Sequence, residues 1–261
     1  MDHHVIGVLG ASGGLGASTL AVALGVRAAR RSGVTACVDG QLWGGGLDVT
    51  ACIEHLPGLR WADLAGASGE LDGAALLGEL PSQDGIAVLA AGGPLGAGGA
   101  ALESNDLIAG VVAGRELSVR AVQALGRLCA VTVVDLGRDG GPPPGAALVD
   151  ACTAVVLLVG TSARRLADGV VAAHRATGLA RVPSVGLVLR TARREALEPE
   201  QLATRLDLPL VAALTDDPRV GADADRARVP GTRQSSGLTR VADRILDWVA
   251  LADETALGVG A

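Results

Sequence analysis

The chain contains no lysine, no phenylalanine and no tyrosine, and its only large aromatic side chains are Trp43, Trp61 and Trp248. Without lysine, no mechanism that needs an ammonium group can be run from this chain, and all 22 basic residues are arginine. With aromatic rings so scarce, a core must be built from Ala, Val, Leu and Ile. Those side chains suit the near-continuous apolar strands of a parallel sheet covered on both faces. The four cysteines, Cys37, Cys52, Cys129 and Cys152, show no CxxC spacing. They read as small buried hydrophobes of a reducing compartment, not as a metal or disulfide set. There is no basic-then-apolar leader and no charge-free apolar run of membrane-spanning length, so a soluble, cytoplasmic protein is expected. The formal charge of −6 opposes non-specific attraction to nucleic acid or anionic lipid.

What is present is an alternation. Apolar runs of strand length recur at Val5–Leu9, Val34–Val38, Ile86–Ala90, Val131–Leu136, Ala154–Val159, Val185–Leu189 and Leu210–Leu214. Between them lie stretches with helical spacing, including Ser18–Arg31, Ser118–Cys129, Ser162–His174 and Glu198–Leu206. Strands alternating with helices predict an α/β fold, a doubly wound, mostly parallel sheet with helices on both faces and ligands at the carboxyl ends of its strands. The breaks are local: Gly92–Gly99 is a glycine-rich loop, and Gly137–Gly145, with Pro142, Pro143 and Pro144, is stiff and non-helical. One domain over residues 1–261 is expected, with no separate receiver-like domain before it. A last helix near Leu238–Leu251 gathers Val241, Ile245, Trp248 and Val249 on one side, for packing against the sheet.

The segment richest in chemistry is Gly10-Ala11-Ser12-Gly13-Gly14-Leu15-Gly16-Ala17-Ser18-Thr19, after the first strand and at the start of the first helix. A glycine-rich turn lets successive backbone N–H groups converge on an anion, and the helix N-terminus adds partial positive charge. A phosphate bound there with Mg²⁺ also needs a hydroxyl and carboxylates. Ser18 or Thr19, Asp39 after the second strand and Asp135 after Val131–Val134 stand in the order such a site requires.

On these residues the sequence resembles the deviant Walker A, or ParA/MinD, superfamily of P-loop proteins. The family's loop reads Lys-Gly-Gly-x-Gly-Lys followed by two hydroxyl residues, and here the frame reads Ser12-Gly13-Gly14-Leu15-Gly16-Ala17-Ser18-Thr19. Both lysines are replaced. Val38-Asp39-Gly40-Gln41 with Gly44–Asp48 resembles the first switch, and Thr132–Gly137 resembles the Walker B strand. Leu210–Leu214 followed by Thr215-Asp216-Asp217-Pro218 resembles the strand and acidic turn near the nucleotide base. Within the superfamily, GASGGLGAST, the segment Gly44–Leu64 and the tail Thr215–Leu246 are similar to the CpaE/TadZ-like subgroup. That subgroup includes septum-site-determining proteins encoded near Tad-type pilus and secretion components.

The resemblance implies a cofactor and a mechanism, and the substitutions modify both. In the family the lysine matching Ala17 reaches the β- and γ-phosphates, and the one matching Ser12 crosses a nucleotide-sandwich dimer. Losing two such charges leaves little turnover, since phosphoryl transfer rests on positioning and electrostatic stabilisation. The backbone nest survives, so weak ATP or ADP binding with Mg²⁺ is expected, held by Ser12, Gly13, Gly14, Leu15, Gly16, Ala17, Ser18, Thr19, Asp216 and Asp217, with Ser18, Asp39 and Asp135 on the metal. Gln41, in place of the switch's second aspartate, is the candidate for positioning water. Arg138 is the candidate substitute cation, making an arginine-served ATPase the alternative to a scaffold. The implied role is a spatial regulator, homodimeric through the P-loop face with Leu42 and Trp43 contributing. Its partners would be a Tad-type secretion or pilus ATPase or septation components, with membrane association only through partners and recruitment to a pole or septum. A DNA-partitioning role would want a basic stripe, but Asp216, Asp217, Asp223 and Asp225 dilute Arg219, Arg226, Arg228, Arg233 and Arg240.

Overall fold

Seven apolar runs become strands, and an eighth, two-residue strand joins them at one edge. The computed structural model describes residues 3–41, 46–91, 104–138, 145–178, 184–192 and 198–258. Its strands are β1 (His4–Gly10), β2 (Thr35–Asp39), β3 (Ser82–Gln83), β4 (Ile86–Leu89), β5 (Val131–Arg138), β6 (Ala154–Gly160), β7 (Ser184–Thr191) and β8 (Leu210–Thr215). They form one sheet in the order β3-β4-β2-β5-β1-β6-β7-β8, parallel throughout except for β3 against β4. The helices are α1 (Ala17–Ser32), α2 (Leu47–Thr50), α3 (Gly73–Glu79), α4 (Ser104–Gly126), α5 (Gly145–Asp150), α6 (Ala163–Gly178), α7 (Pro199–Leu206), α8 (Pro218–Ala224) and α9 (Gly237–Gly258), with a 3-10 turn at Trp61–Leu64.

The central strands are apolar on both faces, which is why they read as runs and not as alternations: β2 and β6 are buried at every residue. Aliphatic side chains and alanine fill the core, joined by Trp61 and all four cysteines. Burial pushes the thiols of Cys37 and Cys152 up to about 12, as expected of inert hydrophobes. Helix α1 lies over the middle of the sheet and is tied to α9 by ion pairs: Arg27 bonds Asp243 at 2.9 Å, and Arg31 reaches Asp243 at 3.0 Å and Asp247 at 2.6 Å. The loop before α9 straps across α1. A Cβ on Gly231, which sits at φ +87°, would lie 2.7 Å from the Ala23 carbonyl oxygen, so only glycine fits that crossing.

The structure shifts several expected boundaries. Val34 is 54% exposed and precedes β2. Strand β5 continues through Gly137 and Arg138, which the sequence placed in a loop, while residues 139–144 lie outside the described residues. Gly145 opens α5, and Gly92–Gly99 also lies outside the description.

Candidate functional site

Strand β1 ends in the middle of the sheet, between β5 and β6, so the loop after it sits at the carboxyl edge where ligands bind in open α/β sheets. Two apolar anchors and one backbone bond fix its path. Ala11 is buried and donates its N–H to the Leu158 carbonyl at 2.9 Å, and Leu15 is fully buried against Gly160. Leu15 therefore contributes its backbone to any ligand, while its side chain belongs to the core. Gly14 at φ +72° and Gly16 at φ +87° adopt the left-handed backbone that turns the chain into α1, with Gly16 as the N-cap residue. Between them and β1, the hydroxyl oxygen of Ser12 is buried and has no hydrogen-bond partner among the described residues.

Below this loop the expected carboxylates meet. Asp39 and Asp135 are opposite each other in the β2–β5 register, and both are buried. The Ser18 hydroxyl, in the first turn of α1, donates to Asp135, which also accepts from the Gly137 N–H at 3.0 Å. Asp39 accepts from the N–H groups of Gln41, at 2.9 Å, and Leu47. Burial outweighs these bonds. It pushes the Asp39 carboxyl up to about 7, with the nearby Asp135 charge adding to the rise, and it raises Asp135 above the usual carboxylate range. Two adjacent buried carboxylates, one of them bonded to a hydroxyl and neither ion-paired among the described residues, are the kind of donor set a hard divalent cation satisfies. Trp61 braces this region, its indole N–H donating to the Asp39 carbonyl at 2.9 Å.

Other candidates separate. The Gln41 side chain folds over Gly137 and so stays beside Asp135. Thr19 lines a cavity of about 210 Å³ with Val49, Asp217 and Val220. Asp217 caps α8, its side chain accepting from the Arg219 N–H at 3.0 Å, and the following Pro218 is the first helical residue. Ala17 opens α1, half-buried. Leu42, Trp43, Gly44 and Gly45 lie outside the described residues.

Two arginines stand at the loop. Arg138, exposed at the end of β5, brings its guanidinium to within 3.5 Å of where a Cβ on Gly13 would lie. Arg190, near the end of β7, donates from Nε to Asp216 at 2.6 Å and from Nη1 to the Gly14 carbonyl at 3.1 Å. The sequence reading missed Arg190 because it ended this strand at Leu189. The available signal was an arginine directly after an apolar run, at the sheet edge that binds ligands.

No protein-family model matches the sequence. Two uncharacterized proteins of Mycobacterium tuberculosis, from different strains, are each 34% identical to it over 246 residues, or 93% of this chain. The chain spans 63% of the length of each. Among solved structures, a ParA family ATPase from Chlorobium tepidum TLS superposes with a TM-score of 0.74 at 15% identity, covering 95% of this chain and 99% of its own. The septum site-determining protein MinD from Pyrococcus horikoshii OT3, complexed with Mg-ADP, gives a TM-score of 0.67 at 17% identity, covering 99% and 98%. With its mostly parallel eight-stranded sheet and the glycine loop between β1 and α1, the chain has the α/β fold of the ParA and MinD ATPases.

Proposed function

We propose that this chain is a ParA/MinD-type spatial regulator that binds Mg–ADP or Mg–ATP weakly and turns ATP over slowly or not at all. One observation carries the reading: Ser18, Asp39 and Asp135 converge beneath a glycine loop that has no lysine. The nucleotide fits the residues present. The buried Ser12 hydroxyl, unpartnered among the described residues, lies in the loop, Gly14 and Gly16 supply its left-handed turns, and the paired carboxylates suit the Mg²⁺. Ser18, Asp39 and Asp135 would hold the metal, the backbone of Gly13–Ser18 would hold the phosphates, and Gln41 would stand closest to an attacking water. Bound Mg–nucleotide would supply the charge that a partner reads. The MinD structure with Mg-ADP supports the choice of ligand at the level of fold.

The missing lysines argue against efficient hydrolysis, because removing one donor of this kind costs about 3 kcal/mol or more in the transition state. As a scaffold, the protein would form a homodimer through the P-loop face and recruit a Tad-type pilus or secretion ATPase, or septation components, at a pole or septum. It would act as a single domain that reaches a membrane only through partners. Among the described residues no helix is long and apolar enough to cross one. A second reading, an ATPase served by arginine, draws on Arg138 above Gly13. Nucleotide affinity and phosphate release measured on one purified sample separate the two. Mg–ADP binding with turnover no faster than that of Asp39→Asn supports the regulator, and sustained turnover well above that variant supports the ATPase. Absence of any nucleotide binding would overturn both.

A further inference from the structure

The side chain of Arg190 reaches the glycine loop from a neighbouring strand and is held in place before any ligand arrives. Its Nε donates to Asp216 at 2.6 Å, its Nη1 donates to the Gly14 carbonyl at 3.1 Å, and Nη1 stands 3.4 Å from where a Cβ on Gly16 would be. A guanidinium has five N–H donors in a rigid plane, and these bonds take two of them. The carboxylate on Nε sets the orientation of that plane, and the Arg190 side chain stays partly open to solvent, 30% exposed. Arg138 differs: it is exposed, and its contact is with Gly13, a glycine with no side chain to hold it. A cation already ordered by two bonds loses less entropy on meeting a phosphate than one that must be ordered at that moment.

Building on the nucleotide reading above, we propose that Arg190, positioned by Asp216, serves as the phosphate-binding cation of this lysine-free loop for a nucleoside di- or triphosphate. Its charge lies at the β7 side of the loop and not on α1, so it comes from an element that a search confined to the loop motif passes over. Because the same guanidinium bonds the Gly14 carbonyl, it also fixes the loop peptide that faces β7. The Asp216 carboxylate in turn links the phosphate site to the turn that starts α8.

A charge that touches phosphate contributes in proportion to the phosphate present, whereas a residue that only braces the fold affects all nucleotides alike. The test is the affinity of Mg–ADP and of AMP for the wild type, Arg190→Ala, Arg190→Lys, Asp216→Asn and Arg138→Ala, read by calorimetry on the full chain. Arg190→Ala is expected to weaken ADP at least tenfold while leaving AMP within about threefold. Arg190→Lys should restore part of the loss, since it keeps the charge without the fork, and Asp216→Asn should weaken ADP by a smaller factor. Equal losses for ADP and AMP in Arg190→Ala would reduce Arg190 to a brace and overturn the inference, as would a loss confined to Arg138→Ala. If Arg190→Ala does not fold, Arg190→Gln and Asp216→Asn carry the same ADP-to-AMP comparison. A wild type that binds Mg–ADP with no change in Arg190→Ala fails this inference alone, while a wild type that binds no ADP fails the nucleotide reading beneath it.

Discussion

Replacing Asp39 by asparagine should stabilise the metal-free protein at neutral and alkaline pH. Asp39 is 4% exposed, and its carboxyl is pushed from an unfolded value of 3.8 up to about 7. The folded state therefore keeps a proton that the unfolded chain has released between roughly pH 4 and pH 7. In that window the native state binds more protons, so unfolding free energy falls as pH rises, and it levels off above the folded pKa. A shift of about three pKa units at 1.36 kcal/mol each amounts to about 4 kcal/mol lost across the window. An asparagine side chain carries no such penalty and keeps an oxygen for the Gln41 N–H. Urea unfolding of the wild type and of Asp39→Asn at pH 5 and pH 7.5, both in EDTA, measures the difference. The advantage of the variant should grow by about 3 kcal/mol between the two pH values, the part of the window they span. Parallel pH profiles for the two proteins would refute the claim that Asp39 is a buried acid short of a cation.

Ala17→Lys should tighten Mg–ADP binding about tenfold by returning a charge to the loop, and unchanged affinity in calorimetry would mean that the loop is not shaped for phosphate. Nucleotide binding should fall at least tenfold in EDTA, because without Mg²⁺ the phosphates meet Asp39 and Asp135 directly; metal-independent ADP binding would contradict the site. Gly231→Ala should cost about 2 kcal/mol or more in urea unfolding, since it adds backbone strain at φ +87° and a Cβ 2.7 Å from the Ala23 carbonyl oxygen. In the native protein Cys37 and Cys152 should resist a thiol reagent that labels both in urea, and fast native labelling would contradict their burial.

The parts of the molecule that were legible in the sequence share a cause. Strands buried on both faces carry uninterrupted apolar runs, so β1, β5 and β6 stood out. Asp39, the last residue of β2, and Asp135, inside β5, came with those runs. Short pieces were not legible: β3 has two residues and α2 has four, too few for any periodicity to register. Asp217 carries two signals at once. An acid followed by proline is also the signature of a helix start, and the capping geometry claims that side chain. The choice between Ser18 and Thr19 required the helix phase, which brings the Ser18 hydroxyl to Asp135 and places Thr19 in the lining of the cavity beside α8. Arg190 was lost to a strand boundary drawn two residues short, the commonest error in reading element ends.

Under the proposed reading, the arrangement of charge bears on binding and catalysis more directly than the loop motif does. Where a P-loop lysine would stand, the chain places alanine and serine, so no positive side chain of the loop itself faces the buried carboxylates. The cations are at the margin: Arg138 at the end of β5, and Arg190 on β7, already occupied by Asp216 and the Gly14 carbonyl. Rim charges attract a polyanion and hold its ground state. They lower the barrier to phosphoryl transfer only if they gain strength as charge moves in the transition state. An arginine bound on two sides has little freedom to follow that movement, whereas on the proposed reading Mg²⁺ held by Ser18, Asp39 and Asp135 would neutralise the phosphates. On the proposed reading such a site would favour retention of nucleotide over its cleavage, the property that separates a positioning protein from an efficient ATPase.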